Sequence, residues 1–227
     1  MKYILMDVEG TTTSISFVHD VLFPYSLERV ESFINSLLDK EEIILDILTQ
    51  TKKTVHDEQQ KFITNEEAIA QLIEWIKTDR KHPALKTLQG MIWNIGYQSG
   101  ELKGHVYPDV PAALEEWSKK GIKLGIYSSG SVEAQKALFG HSVSGDLNHY
   151  FADNFDTNIG QKRDVKSYFN ISSELGIDPA QILFLSDITE ELDAAKMAGF
   201  LTTQLVRLED LPFKDHKQVR SFSEIKI

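Results

Sequence analysis

Asp7 and Glu9 stand two residues apart, and Gly10, Thr11 and Thr12 follow at once. If the chain loosens at the glycine, both carboxyls can lean over the carboxyl end of a sheet, where open α/β folds keep their ligands. A carboxylate placed there serves as a nucleophile, as a metal ligand, or as both. Three later segments carry complementary groups. Ser128-Ser129-Gly130-Ser131 runs into a predicted helix, whose first N–H groups and the hydroxyls make an anion site. Lys162 lies in Asn158-Ile159-Gly160-Gln161-Lys162-Arg163, and Ser186-Asp187-Ile188-Thr189-Glu190-Glu191 adds further acids. Singly, each has a plainer role: serines cap and turn, a lysine is solvated, and Glu190 and Glu191 complement a helix dipole. Their joint occurrence, in order, at the tips of separate strands points to chemistry.

A buried acidic cluster has to be neutralised by cations or protons. Oxygen ligands without His or Cys favour a hard ion, and Mg²⁺ is the expected one, held by Asp7, Asp187 and Glu9, the last through its carboxylate or its main-chain carbonyl. Attack by Asp7 on phosphorus would give an aspartyl-phosphate that water then hydrolyses. Glu9 can protonate the leaving oxygen and later deprotonate the water. Ser129 and the neighbouring backbone can hold a phosphoryl oxygen while Lys162 offsets the growing charge. Phosphate monoester hydrolysis demands up to ~10²¹-fold acceleration, roughly 29 kcal/mol, of which positioning supplies about 7–11 kcal/mol. An isolated pair of acids would fall short; the full set is needed. The seven histidines, at 19, 56, 82, 105, 141, 149 and 216, show no metal-ligand spacing and read as surface or local structural residues.

Two kinds of pattern must position these groups. Tyr3, Ile4, Leu5 and Met6 form a short, wholly apolar run, expected to be a buried strand. From about residue 24 to 100 the signal is helical. Val30, Phe33, Ile34, Leu37 and Leu38 make one stripe, and Ile43, Ile44, Ile47 and Leu48 another. A polar stretch covers residues 50–61. Thr64 and Glu67 then read as a capping box before Ile69, Leu72, Ile73 and Ile76, and Leu85, Leu88, Ile92 and Ile95 close the series. Trp75 and Trp117 read as core, and Trp93 as a residue of the bundle's inner surface. After Gly104, helices at 111–117, at 131–139 and around Ala194, Ala195 and Ala198 alternate with apolar strands at 122–127, 182–185 and 201–206. That alternation predicts a parallel sheet with helices on its faces. The first strand has to join it, so the bundle is an insertion at residues 16–104, placed to act as a lid, and the core is 1–15 plus 105–227.

Composition narrows the function classes. The 227 residues are 41% hydrophobic, and 24 Lys and Arg against 34 Asp and Glu leave a net charge of -10. Binding nucleic acid usually rests on a basic face that neutralises phosphates, and with this acidic balance none is expected as a partner. With no cysteine, disulfides, thiolate metal sites and cysteine nucleophiles are excluded. The first apolar run meets Asp7 within a few residues, so neither a signal peptide nor a membrane span is expected, and the reading is a cytoplasmic protein.

The ordered set resembles the haloacid dehalogenase superfamily of aspartate-nucleophile phosphatases, whose first motif is commonly D-x-D-G-T; here it stands as Asp7-Val8-Glu9-Gly10-Thr11. The extra methylene at Glu9 looks like one branch, the enolase-phosphatases of methionine salvage. So do the continuation through Thr12-Thr13-Ser14-Ile15-Ser16-Phe17-Val18 and Leu22-Phe23-Pro24-Tyr25, the run Leu88-Gln89-Gly90-Met91-Ile92-Trp93, and Ile126-Tyr127-Ser128-Ser129-Gly130-Ser131-Val132-Glu133-Ala134-Gln135. The resemblance implies a Rossmann-like parallel sheet with an inserted helical cap. It implies enolisation and then dephosphorylation of 2,3-diketo-5-methylthiopentyl-1-phosphate to the acireductone, with Mg²⁺ on Asp7, Glu9 and Asp187 and substrate on Ser128, Ser129 and Lys162. Members of the family are usually monomers. The enolisation base is either Glu9 or a lid residue such as Asp20. Two other readings share the acid set: a related phosphatase for another small phosphate ester, and a non-enzymatic phosphoacceptor receiver domain.

Overall fold

The computed structural model describes residues 1–38, 40–207 and 216–227. It divides into two compact units, Met1–Ile15 with Lys103–Ile227, and Ser16–Leu102. The first is built on a six-stranded sheet of β1 (Tyr3–Met6), β2 (Lys123–Tyr127), β3 (Phe151–Phe155), β4 (Ile182–Ser186), β5 (Leu201–Leu205) and β6 (Lys217–Val219). Their order is β3-β2-β1-β4-β5-β6, and every pairing is parallel. β1 is central and fully buried, as an unbroken apolar run in a parallel sheet must be. Met6 is level with Ile126 on β2 and with Leu185 on β4. That register brings Asp7, Ser128 and Asp187 to one edge of the sheet, where the three strands end.

The second unit is helical: a short α1 (Ile15–Phe17) at the boundary, a π-helical turn over Val18–Leu22, then α2 (Phe23–Leu37), α3 (Glu42–Gln59), α4 (Asn65–Lys77) and α5 (Pro83–Ser99). Its core is made by Val30, Ile34, Ile44, Leu48, Leu72, Trp75, Leu88 and Ile92, among others. The capping box is present: the Thr64 hydroxyl accepts from Glu67 N–H at 3.2 Å, and Glu67 accepts from Thr64 N–H at 2.9 Å. Two readings need correction. The polar stretch 50–61 is mostly helix, because the buried stripe of α3 continues through Thr51 and Val55 and ends only at Gln60, in the left-handed region at φ 55°. Ile43 and Ile95 lie off their stripes and are exposed. Trp93 is half-buried, its indole N–H donating to the Leu22 carbonyl at 2.8 Å while its ring stacks on Phe23.

The sheet unit carries α6 (Val110–Lys119), α7 (Val132–Gly140), α8 (Val165–Leu175) and α9 (Thr189–Met197). Strands β3 and β6 were not foreseen. β3 reads Phe-Ala-Asp-Asn-Phe, an edge strand whose polar residues hide its period. β6 is three residues long. Among the described residues no helix is long and apolar enough to cross a membrane.

Candidate active site

The loop after β1 is set by its own hydrogen bonds. The Val8 carbonyl accepts from the N–H groups of Thr11, Thr12 and Thr13 at 3.3, 2.9 and 2.9 Å, and Gly10 N–H donates back to the Thr13 carbonyl at 2.8 Å. Gly10 sits at φ +75°, and a Cβ there would lie 2.3 Å from Asp187 Oδ2. Both facts require glycine, and they place the Asp187 carboxyl against the turn. Thr12 Oγ1 donates to the Asp7 and Val8 carbonyls, each at 3.1 Å. The loop is therefore rigid before any substrate arrives.

Asp7 is buried. Its Oδ1 accepts from Val8 N–H at 2.7 Å and from the Lys162 ammonium. Its Oδ2 faces the Ser186 hydroxyl at 3.4 Å, a weak contact. Lys162 also pairs with Glu191 at 2.8 Å, and the Tyr168 hydroxyl fixes the Lys162 carbonyl at 2.6 Å. Ser186 Oγ lies 3.0 Å from Glu191 Oε2, its better acceptor. Ser128 is buried and donates to Glu9 Oε2 at 3.2 Å, while Gly130 N–H donates to Ser128 Oγ at 3.0 Å. Ser129 is exposed at the strand tip. Asp7, Glu9, Ser128, Lys162 and Asp187 thus meet at one sheet edge.

Four carboxyls share one amine, and their proton affinities follow. Burial pulls Lys162 down, but Asp7 and Glu191 outweigh it and hold the amine charged. Burial and then Asp7 push Glu191 up to about 6 against the pull of Lys162. The same two causes, in the same order, push Asp187 up to about 7. Glu9 is raised as well, by burial and by Asp7, with Lys162 and the Ser128 hydroxyl opposing. One ammonium pairs with Asp7 and Glu191 and leaves Glu9 and Asp187 short of positive charge.

That shortage is the fit test for a cation. Asp187 Oδ1 is buried without a hydrogen-bond partner among the described residues, as expected of an atom reserved for an ion. No three His, Asp or Glu side chains among the described residues come together tightly enough to enclose a metal by themselves. Mg²⁺ suits such an open site, since it binds through one or two carboxylates and keeps places for water and phosphate oxygens. The donors present fit it.

Sequence reasoning missed three contributors. Glu191, read as a helix-dipole complement, is the second partner of Lys162. Ser186 bridges Glu191 and Asp7. Gln204 on β5 holds the Asp187 carbonyl at 2.9 Å and the Thr189 hydroxyl at 3.1 Å. Glu191 and Ser186 were visible as a hydroxyl and an acid five residues apart across a strand-to-helix turn; Gln204 left no local signal.

Comparison with known proteins agrees with this geometry. Residues 1–199 match the model of the haloacid dehalogenase-like hydrolases. An "Enolase-phosphatase E1" of Enterobacter sp. (strain 638) is 49% identical over 227 residues, covering 99% of this chain and 96% of the relative. One of Sulfurihydrogenibium sp. (strain YO3AOP1) is 49% identical over 230 residues, covering 100% and 98%. The crystal structure of the UTR4 protein of Saccharomyces cerevisiae superposes with a TM-score of 0.79 at 35% identity, over 99% of each chain. The chain therefore belongs to the haloacid dehalogenase-like hydrolases, among their enolase-phosphatases, and is a phosphatase.

Proposed function

We propose that this phosphatase is Mg²⁺-dependent and bifunctional, enolising 2,3-diketo-5-methylthiopentyl-1-phosphate and then releasing phosphate to leave the acireductone 1,2-dihydroxy-3-keto-5-methylthiopentene. The relatives' shared name supports the pairing of activities. The observation that carries the reading is Asp7 at the tip of the central strand, one oxygen clamped by Lys162 and Val8 N–H, with the Glu9 carboxyl, hydrogen-bonded by Ser128, two residues away. Asp7, Asp187 and Glu9 would hold Mg²⁺; because the Glu9 carboxyl is turned to Ser128, its main-chain carbonyl is the proposed ligand. When bound, the ion supplies positive charge to the phosphoryl oxygens and to a diketone oxygen.

In the hydrolytic half, Asp7 Oδ2 attacks phosphorus, the bond from phosphorus to the C1 oxygen breaks, and Glu9 gives that oxygen a proton. Glu9 then takes a proton from water, which attacks the aspartyl-phosphate and regenerates the Asp7 carboxylate with free phosphate. Lys162 stays charged throughout and balances the equatorial oxygens. Ser128 and Ser129 hold the phosphoryl group. In the enolase half, Glu9 as the carboxylate takes a C1 proton, the freed electron pair forms the C1–C2 double bond, and the proton passes to the C2 oxygen to give the enol. The protein works as a monomer in this reading.

The test supplies the diketone phosphate and follows enol absorbance and free phosphate together, with and without Mg²⁺. Both signals should need the metal, and Asp7→Asn should stop phosphate release. Phosphate release by Asp7→Asn at the wild-type rate removes Asp7 as nucleophile; phosphate release by the wild type without an enol signal removes the enolase half.

A further inference from the structure

Behind the Asp7 loop lies a partly buried ion pair that the chemistry above does not use. Arg207, just past β5, donates from Nε and Nη2 to the Thr11 carbonyl at 3.1 and 2.7 Å. Its Nη1 reaches both oxygens of Asp109, at 2.9 and 2.7 Å, and the Arg220 carbonyl at 3.3 Å. Asp109 is fixed in turn by the Ser221 hydroxyl at 3.0 Å and Phe222 N–H at 2.6 Å. The guanidinium lies between two rings, 4.2 Å from the centre of Tyr107 and 5.0 Å from that of Phe222, with its side chain 7% exposed. The neighbouring Thr12 carbonyl is held by Tyr107 N–H at 3.0 Å.

These bonds end on the outer half of the same turn that presents Glu9 and Gly10. Its inner half is closed by the Val8 carbonyl; on its outer half the Thr11 carbonyl is held by Arg207. A partly buried Arg–Asp pair gains little stability on balance, since both ions lose part of their water. Its geometry instead favours precision: one planar fork gives two N–H bonds to a single carbonyl and a third to a fixed carboxylate, which a lysine cannot reproduce.

We infer that Arg207, oriented by Asp109, is a positioning residue for the phosphatase reaction: it fixes the Glu9-Gly10-Thr11 turn so that the Glu9 acid meets the oxygen leaving Asp7-bound phosphorus. The inference rests on the roles proposed above for Asp7 and Glu9. Displacing such a group by an ångström costs about 100-fold in rate.

The experiment measures kcat and KM for the diketone phosphate on the full-length enzyme with Mg²⁺, for Arg207→Ala, Arg207→Lys and Asp109→Asn, with circular dichroism and thermal melts in parallel. Arg207→Ala should lose about 100-fold in kcat with KM within about threefold. Millimolar guanidinium should restore kcat at least about tenfold in that variant, since it refills the fork's site, while leaving the wild type unchanged. Arg207→Lys should remain folded and stay slow, and Asp109→Asn should fall between. A folded Arg207→Lys enzyme with wild-type kcat overturns the inference, as does an Arg207→Ala enzyme whose loss is confined to KM or does not respond to guanidinium. Asp7→Asn serves as the control on the underlying reading: turnover there rejects the proposed nucleophile, whereas an inactive Asp7→Asn beside a fast Arg207→Lys rejects the positioning role alone.

Discussion

At the scale of single residues, Lys162 decides the state of the site. Its amine is the one cation in contact with Asp7 and Glu191 among the described residues, and it is 7% exposed. Removing it leaves two buried carboxylates without a counter-charge. Lys162→Met should therefore cost about 3–5 kcal/mol in urea unfolding at pH 8. The cost should shrink at pH 5, where Glu191 and its neighbours can take up protons instead. The sign follows from the raised proton affinity of Glu191: its native carboxyl holds a proton at pH values where the unfolded chain has released it. An identical cost at both pH values would show that Lys162 acts through packing rather than charge. The sequence carried Asp7, Glu9 and Asp187 openly, because each sits at the end of an apolar run. It hid Glu191, because an acid in the first turn of a helix has an adequate local reason to be there.

At the scale of elements, the tightest constraint links three strands through one side chain. Tyr3 on β1 crosses over Gly125 on β2 and donates to Asp153 Oδ2 on β3 at 2.9 Å. A Cβ at Gly125 would stand 2.0 Å from the Tyr3 hydroxyl, so glycine is required by close approach. Gly125→Ala should destabilise by about 1–3 kcal/mol, and by at least about 0.5 kcal/mol less in a Tyr3→Phe background. Strict additivity in that double-mutant cycle would deny the crossing any energetic role. The same contact explains why β3 could not be read from the chain. Its Asp153 and Asn154 break an apolar pattern, and their partners, Tyr3 and Gln135, are distant in sequence: Asn154 donates to Gln135 Oε1 at 3.0 Å. β1 and β4 were legible because burial on both faces leaves an uninterrupted apolar run, and β2 because only its first residue, Lys123, is polar. α3 was legible only in its first half, since Thr51 and Val55 are too sparse a stripe to stand out among the polar residues around them.

At the scale of the whole molecule, a net charge of -10 is compounded by the acids gathered at the sheet edge. Asp187 is pushed up to about 7 and Glu191 to about 6, and Glu9 is raised too. Each binds its proton more tightly folded than unfolded, so stability is fully present below about pH 4 and is lost as pH climbs towards 7. Metal-free protein should lose about 2–4 kcal/mol of unfolding free energy between pH 5 and pH 8. Mg²⁺ should restore most of that loss at pH 8 and little at pH 5, and Asp187→Asn should flatten the slope. A metal-free stability that rises across this range would contradict the electrostatics of the site.

The imidazole of His105 has a consequence of another kind. Its Nδ1 accepts from both Ser14 N–H and Thr13 Oγ1 at 3.0 Å, so two stretches of the sheet unit 91 residues apart are stitched side by side. The chain leaves that unit after Ile15 and resumes it at Lys103, beside this stitch. An interruption whose two ends already touch asks little of the framework around it. Helical cassettes of other lengths could be exchanged there over evolutionary time while the strands of the sheet unit keep their register.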